Sequence, residues 1–231
     1  TVCGPWSSTR LKGTSWYWPA SVLVRYPWAS MIFDPAKTDM MTFYGAVSGA
    51  IIPRPIAWVS SLSADGIPNL APFSFYTVAS IDPPIVCFNP MVNPNGRVKD
   101  TVNNILATRE FTLNVVSEHV GDHMNATSSE VPPEVDEFKL AGLTPAPSTL
   151  VKPARVKESL VHFECKLHEV ISFGKQPFAG NLVLGQVLLM NIDDSVWENG
   201  IIERTKLKAI GRLGGPFYVK TSEAYEMIRP A

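Results

Sequence analysis

Apolar and polar residues alternate with a period of two through "LVHFECKLHEVISF" (residues 160–173). Val161, Phe163, Cys165 and Leu167 fall on one face, and His162, Glu164, Lys166 and His168 on the other. That is the pattern of a strand with one side turned to a core, and its phase slips near Glu169, which predicts a bulge or the strand's end. "NLVLGQVLLMNID" (181–193) predicts a second long strand with Gly185 as a bend. "IAWVSSLS", "ADG" and "IPNLAPFSFYTVAS" (56–80) predict a hairpin whose turn uses Asp65-Gly66. "PPIVCFNP" predicts a short buried strand and "FTLNVVS" another. Helical spacing is scarce. "KDTVNNILATRE" places Val102, Ile105, Leu106 and Arg109 on one face, with Asp100 or Thr101 as the N-cap, while "EHVGDHMNATS" and "EVDEFKLAGL" predict short amphipathic helices, the second stopped by Gly142. The Pro-rich "LTPAPSTLVKPARV" predicts a surface connection. Hairpins with few helices, and no β-α alternation, predict a mainly β fold, an antiparallel barrel with peripheral helices.

The chain of 231 residues is long enough for one domain with a sizeable core. A net charge of −1 argues against a coat for nucleic acid or an anionic membrane, and no apolar run reaches a membrane span. Residues 1–30 differ from the rest, with four of the six tryptophans, three basic residues and no acid. Prolines at 5, 19 and 27 spoil an amphipathic transit helix there, and Arg25 interrupts the apolar core a signal peptide needs. Residues 1–43 are expected to be an N-terminal extension that packs its aromatic rings on the domain or on a partner subunit, and residues 44–231 the barrel domain. Cys3, Cys87 and Cys165 have neither metal nor disulfide spacing, which points to small buried residues in a reducing, cytoplasmic compartment.

Glycine-rich nucleotide motifs and a nucleophile elbow are missing, and His119 with His123 has no third metal ligand at a suggestive spacing. Anion chemistry remains. "GRVKDT" sets Arg97 and Lys99 before a helix start, where free N–H groups and the helix dipole favour a phosphate, and Thr101 adds a hydroxyl. Arg54, between two prolines, is a second cation on the barrel rim. Trp58 and "PFSFY" supply flat apolar surface for an aromatic ring.

In their order, "PRPIAWVSS", "DG…NLAPFSFY", "DPPIVCF", the "KDT" helix start, "MNATS", "VDEF…AGLT" and "GRLGG" resemble the flavin reductase-like family of FMN-binding split-barrel proteins over roughly residues 44–220. The resemblance implies an antiparallel Greek-key split β-barrel that dimerises, with FMN near the subunit interface. It implies that Arg54, Pro55, Trp58 and Ser60 sit beside the flavin, and that Asn69, Ala71, Pro72, Phe73, Ser74 and Phe75 border its ring. Lys99, Asp100 and Thr101 would hold the phosphate, with Arg97 competing with Lys99 for that role. Gly214, Gly215 and Tyr218 would lie near the ring, from the partner subunit. The activity implied is hydride transfer from NADH or NADPH to FMN, with a monooxygenase or another electron acceptor downstream. A flavoredoxin-like carrier without its own NAD(P)H site is the alternative. No side chain is required as a general acid, and no catalytic residue is assigned.

Overall fold

The computed structural model describes residues 31–230. The expectation for the aromatic leader lies outside the described residues. Two compact units are present, the first ending at Ser48 and the second beginning at Gly49. The first holds most of helix α1 (Met40–Ala50), which the strand-directed reading of this region overlooked. Its signal was Asp39, whose carboxylate accepts the Thr42 N–H at 3.0 Å as an N-cap.

The second unit is built on a seven-stranded antiparallel sheet. Its strands are β1 (Ala57–Leu62), β2 (Pro68–Phe73), β3 (Tyr76–Ile81), β4 (Pro84–Phe88) and β5 (Glu110–Val115). After two short strands, β6 (Pro145–Ala146) and β7 (Arg155–Val156), come β8 (Val161–Ser172) and β9 (Asn181–Ile192). The spatial order is β2-β1-β5-β8-β9-β4-β3. β2 and β3 lie at opposite ends of that order, yet only Ser74 and Phe75 join them in the chain. A two-residue link cannot span a flat seven-stranded sheet, so the sheet curls until its ends approach, which makes an antiparallel Greek-key split barrel. The predicted return arm of the first hairpin is thus two strands, broken where Ser74 and Phe75 turn the corner.

The barrel interior is apolar. Ala57 and Val59 from β1, Val86 and Phe88 from β4, Phe111 and Leu113 from β5, Cys165 and Leu167 from β8, and Val183 from β9 form one cluster, joined by Ile105 of α2 (Asp100–Thr108). Gly185 is needed here, because a Cβ at that position would overlap the Phe111 ring. Bulges fall between Glu164 and Cys165 and between Leu167 and Glu169, the second where the alternation slips.

A second cluster lies on the outer face of β1 and β2. Ile56, Trp58 and Leu70 pack there against Val120, Met124 of α3 (Gly121–Ala126), Phe138 of α4 (Glu137–Leu140) and Val156. The remaining elements are β10 (Trp197–Glu198), β11 (Ile201–Ile202), α5 (Arg204–Leu207) and the hairpin of β12 (Ile210–Arg212) with β13 (Tyr218–Lys220). The segment 143–156 is more than a surface connection: Val151, Pro153 and Val156 are buried as it crosses the outer face of β5 and β8.

Candidate functional site

Beyond Leu70 the residues of β2, an end strand of the sheet, are half-buried rather than closed over, and predicted site residues gather at its two ends. At the first end stands Asn69. Its Nδ2 donates to Glu137 Oε1 at 2.9 Å, and its Oδ1 accepts from Thr101 Oγ1 at 2.8 Å and from Ser61 Oγ at 3.3 Å. Asn104 Nδ2 reaches Ser61 Oγ at 3.2 Å, and the Leu70 N–H donates to Glu137 Oε2 at 3.0 Å. All five of these side chains are buried. Burial pushes the Glu137 carboxyl above its ordinary value against the pull of the Leu70 and Asn69 donors, and nearby Asp100 adds to the rise.

The network positions the start of α2. Lys99, not Asp100 or Thr101, is the N-cap, in extended conformation and with no side-chain cap bond. Val102 and Asn103 N–H return to the Lys99 carbonyl at 3.0 and 3.3 Å, which leaves the Asp100 and Thr101 N–H groups outside the helix ladder. α4 and α5 differ, since Asp136 and Glu203 cap them. The side chains around this helix start differ in what they are bonded to. Arg97 pairs with Asp100 at 2.7 and 2.8 Å, so each neutralises the other. Thr101 is 1% exposed and its hydroxyl donates inward to Asn69, so it has no hydrogen to offer an outside anion. Lys99, whose Nζ lies 3.7 Å from the exposed Glu130, is the cation at this helix start.

At the other end, Ala71, Pro72, Phe73, Ser74 and Phe75 form a half-buried arc where β2 passes into β3. Phe73 packs on Phe88 with ring centroids 5.4 Å apart. Arg54 is behind this arc rather than on an open rim. It is 6% exposed, and its guanidinium donates to Ser74 Oγ (3.3 Å), to the Ile51 carbonyl (2.6 Å) and to the Leu213 carbonyl (2.9 Å), 5.7 Å from the Phe75 ring centroid. The arginine thus staples the Gly214–Gly215 loop to the arc. Gly214 is half-buried, while Gly215 is exposed in the left-handed region at φ +57°. The Tyr218 hydroxyl is engaged by Arg212, whose guanidinium lies 4.6 Å from the Tyr218 ring centroid.

Pro55 is exposed. Trp58 and Ser60 present no surface to a ligand, being 0% and 1% exposed. Trp58 is core, its Nε1–H donating to Thr127 Oγ1 at 2.9 Å, which is how "PRPIAWVSS" and "MNATS" meet. The cause is the central position of β1, covered on both faces. His119 and His123 each bond a backbone carbonyl, of Glu158 at 2.9 Å and Ala141 at 2.7 Å. Cys165 is fully buried, and burial pushes its thiol and that of Cys87 up.

Sequence reasoning missed Glu137, Ser61 and Asn104. Their signal was present only as polar residues at positions that periodicity assigns to a helix face or a strand. Asn69 and Phe73, at the two ends of the site, are four residues apart on β2, about 13 Å at ~3.3 Å per residue. A helix start with a lysine, joined by a strand edge to a half-buried aromatic arc, is an arrangement with the chemistry to hold an extended ligand that has an anionic end and a flat apolar end.

Residues 48–206 match the family described as flavin reductase like domain, and the chain belongs to that family. An uncharacterized protein of Aquifex aeolicus is 43% identical over 191 residues, 82% of this chain and 95% of its own length. Among solved structures, nitrilotriacetate monooxygenase component B from Bacillus cereus superposes with a TM-score of 0.82 at 32% identity, covering 86% of this chain and 99% of that one. The 2-nitrobenzoate 2-nitroreductase NbaA of Pseudomonas fluorescens follows with 0.78 at 27% identity, covering 86% and 96%. Among the described residues no helix is long and apolar enough to cross a membrane.

Proposed function

We propose that this chain is an NAD(P)H-dependent flavin reductase with FMN laid along the β2 edge. The observation that carries the reading is the start of α2, which has no side-chain cap and leaves the Asp100 and Thr101 N–H groups outside the helix ladder, with Lys99 beside it while Arg97 is paired with Asp100. That donor set suits a phosphate monoester. The arc Ala71–Phe75, half-buried and backed by Phe88 and Arg54, suits a flat ring. Bound FMN would supply the two-electron chemistry. The protein would bind the phosphate through Lys99 and the first turn of α2, seat the ring on the arc, and keep the arc in place through Arg54.

A homodimer, with Gly214, Gly215 and Tyr218 facing a partner's ring, is the assembly this reading favours. A partner oxygenase as the consumer of reduced flavin is supported by the likeness to a monooxygenase component B. The cytoplasm is the compartment in this reading, supported by the free thiols of the half-buried Cys87 and the buried Cys165.

The deciding experiment follows NADH and NADPH oxidation by the purified chain with added FMN, FAD or riboflavin. Turnover that requires protein and is fastest with FMN is expected. FMN binding without nicotinamide oxidation would make the chain an electron carrier, and failure to bind any flavin would overturn the reading. Lys99→Ala is expected to weaken FMN by about 1–3 kcal/mol and riboflavin far less, measured by flavin fluorescence titration.

A further inference from the structure

A carboxylate is an expensive group to bury, and apolar atoms would fill the same space under β2 more cheaply. Glu137 is nevertheless 6% exposed and bonded to two donors of β2. We propose that Glu137 is a positioning residue for the phosphate end of the ligand: it locks the Asn69 amide, and Asn69 in turn holds the first turn of α2 in place. The phosphate part of this inference rests on the flavin reading above.

An ionised carboxylate offers acceptors only, so the side of Asn69 that faces Glu137 has to be its NH2 group. The Asn69 oxygen is thereby turned toward Thr101 and Ser61, and the Thr101 hydroxyl has to donate inward. Asn104, one turn further along the same face of α2, is tied to Ser61 at 3.2 Å. The helix start is therefore pinned at two points that both lead to Asn69, and Asn69 is oriented by Glu137. Glu137 is itself held at the first position of α4, where Asp136 Oδ1 accepts the Phe138 N–H at 3.0 Å. With the Thr101 side chain committed inward, its hydroxyl holds the first turn of α2 to β2 and offers nothing to an outside anion. The bonds that hold the ring end, from Arg54 to Ser74, Ile51 and Leu213, share no residue with this network.

The test uses the full chain with Glu137→Ala, and Thr101→Val as the second variant should the first fail to fold. Hydrogen exchange of the ligand-free protein is compared across α2, and FMN and riboflavin affinities are measured by fluorescence titration. Faster exchange in the first turn of α2, with FMN weakened about tenfold or more and riboflavin changed much less, is the expected result. Unchanged exchange at α2 in the folded variant overturns the anchoring role. Faster exchange with both flavins weakened alike upholds the anchoring and overturns the assignment of this end to the phosphate. That last pattern is distinct from a failure of the flavin reading itself, in which the unaltered chain binds neither flavin.

Discussion

The two faces of β1, β5 and β8 are equally buried and held by different means. Toward the barrel interior stand Ala57, Val59, Phe111, Leu113 and Cys165, which fill volume. On the outer face stand Ser60, Thr112, Asn114, His162 and Glu164, none more than 7% exposed. Across the outer face runs the 143–156 segment, mostly irregular chain whose backbone groups need partners that a regular ladder would otherwise provide. The outer-face side chains supply them. Asn114 Oδ1 accepts the Val156 N–H at 2.8 Å, His162 Nε2–H donates to the Val156 carbonyl at 2.8 Å, and Thr112 Oγ1–H donates to the Pro153 carbonyl at 2.9 Å. Glu164 takes the Thr149 and Leu150 N–H groups at 2.9 and 2.6 Å. Polar alternation here is a bed of hydrogen bonds for a loop, not a solvated surface. The same device under β2, with Glu137 in place of Glu164, serves the candidate site.

The contrast breaks most visibly from the inside. Phe111→Ala opens the interior where Gly185 already presses on the ring, and is expected to cost about 3–5 kcal/mol in chemical denaturation. Glu164→Ala removes the common acceptor of the loop. It is expected to cost about 2 kcal/mol and to sensitise 143–156 to proteolysis, whereas Phe111→Ala should leave that segment no more exposed than the rest. If Glu164→Ala costs nothing, the loop is held by apolar contacts alone. Trp58→Phe keeps most of the ring volume and deletes the bond to Thr127, so a loss of about 1 kcal/mol is expected from thermal or denaturant melts.

The smallest effect distinguishes the two buried acids by sign. Burial opposes ionisation of Glu164, but the Leu150, Thr149 and Asn191 donors outweigh it, so its carboxyl is held below the ordinary value. Its contribution is therefore full at neutral pH and is lost as pH falls through the folded-state value. Glu137 is raised, so its ionisation opposes folding, and that penalty disappears as pH falls from the raised value toward the unfolded one. Melting curves between neutral pH and pH 4 should then show the advantage of the native chain over Glu164→Gln shrinking, and its advantage over Glu137→Gln growing. Parallel trends would remove the distinction between the two acids.

Strand and helix positions were legible wherever one face of an element is apolar, as in β8, β9 and α2. So was the role of the Asp65-Gly66 turn, with Gly66 at φ +82°. The order of the motifs also carried the family. The residues of the candidate site were legible as a group, because β2, the arc after it and the start of α2 are local in the chain. What each does was not. Arg54 looks like a rim cation in "PRP" until the Ile51 and Leu213 carbonyls are placed around it, and the second lies far along the chain. Trp58 looks like a surface for a ring until β1 is found between β2 and β5 with both faces covered. Arg97 and Lys99 are alike in sequence and differ only once Asp100 has claimed the first. Periodicity reports which residues share a face. Whether that face meets water, a ligand or another stretch of chain depends on contacts distant in sequence, which only the tertiary structure decides.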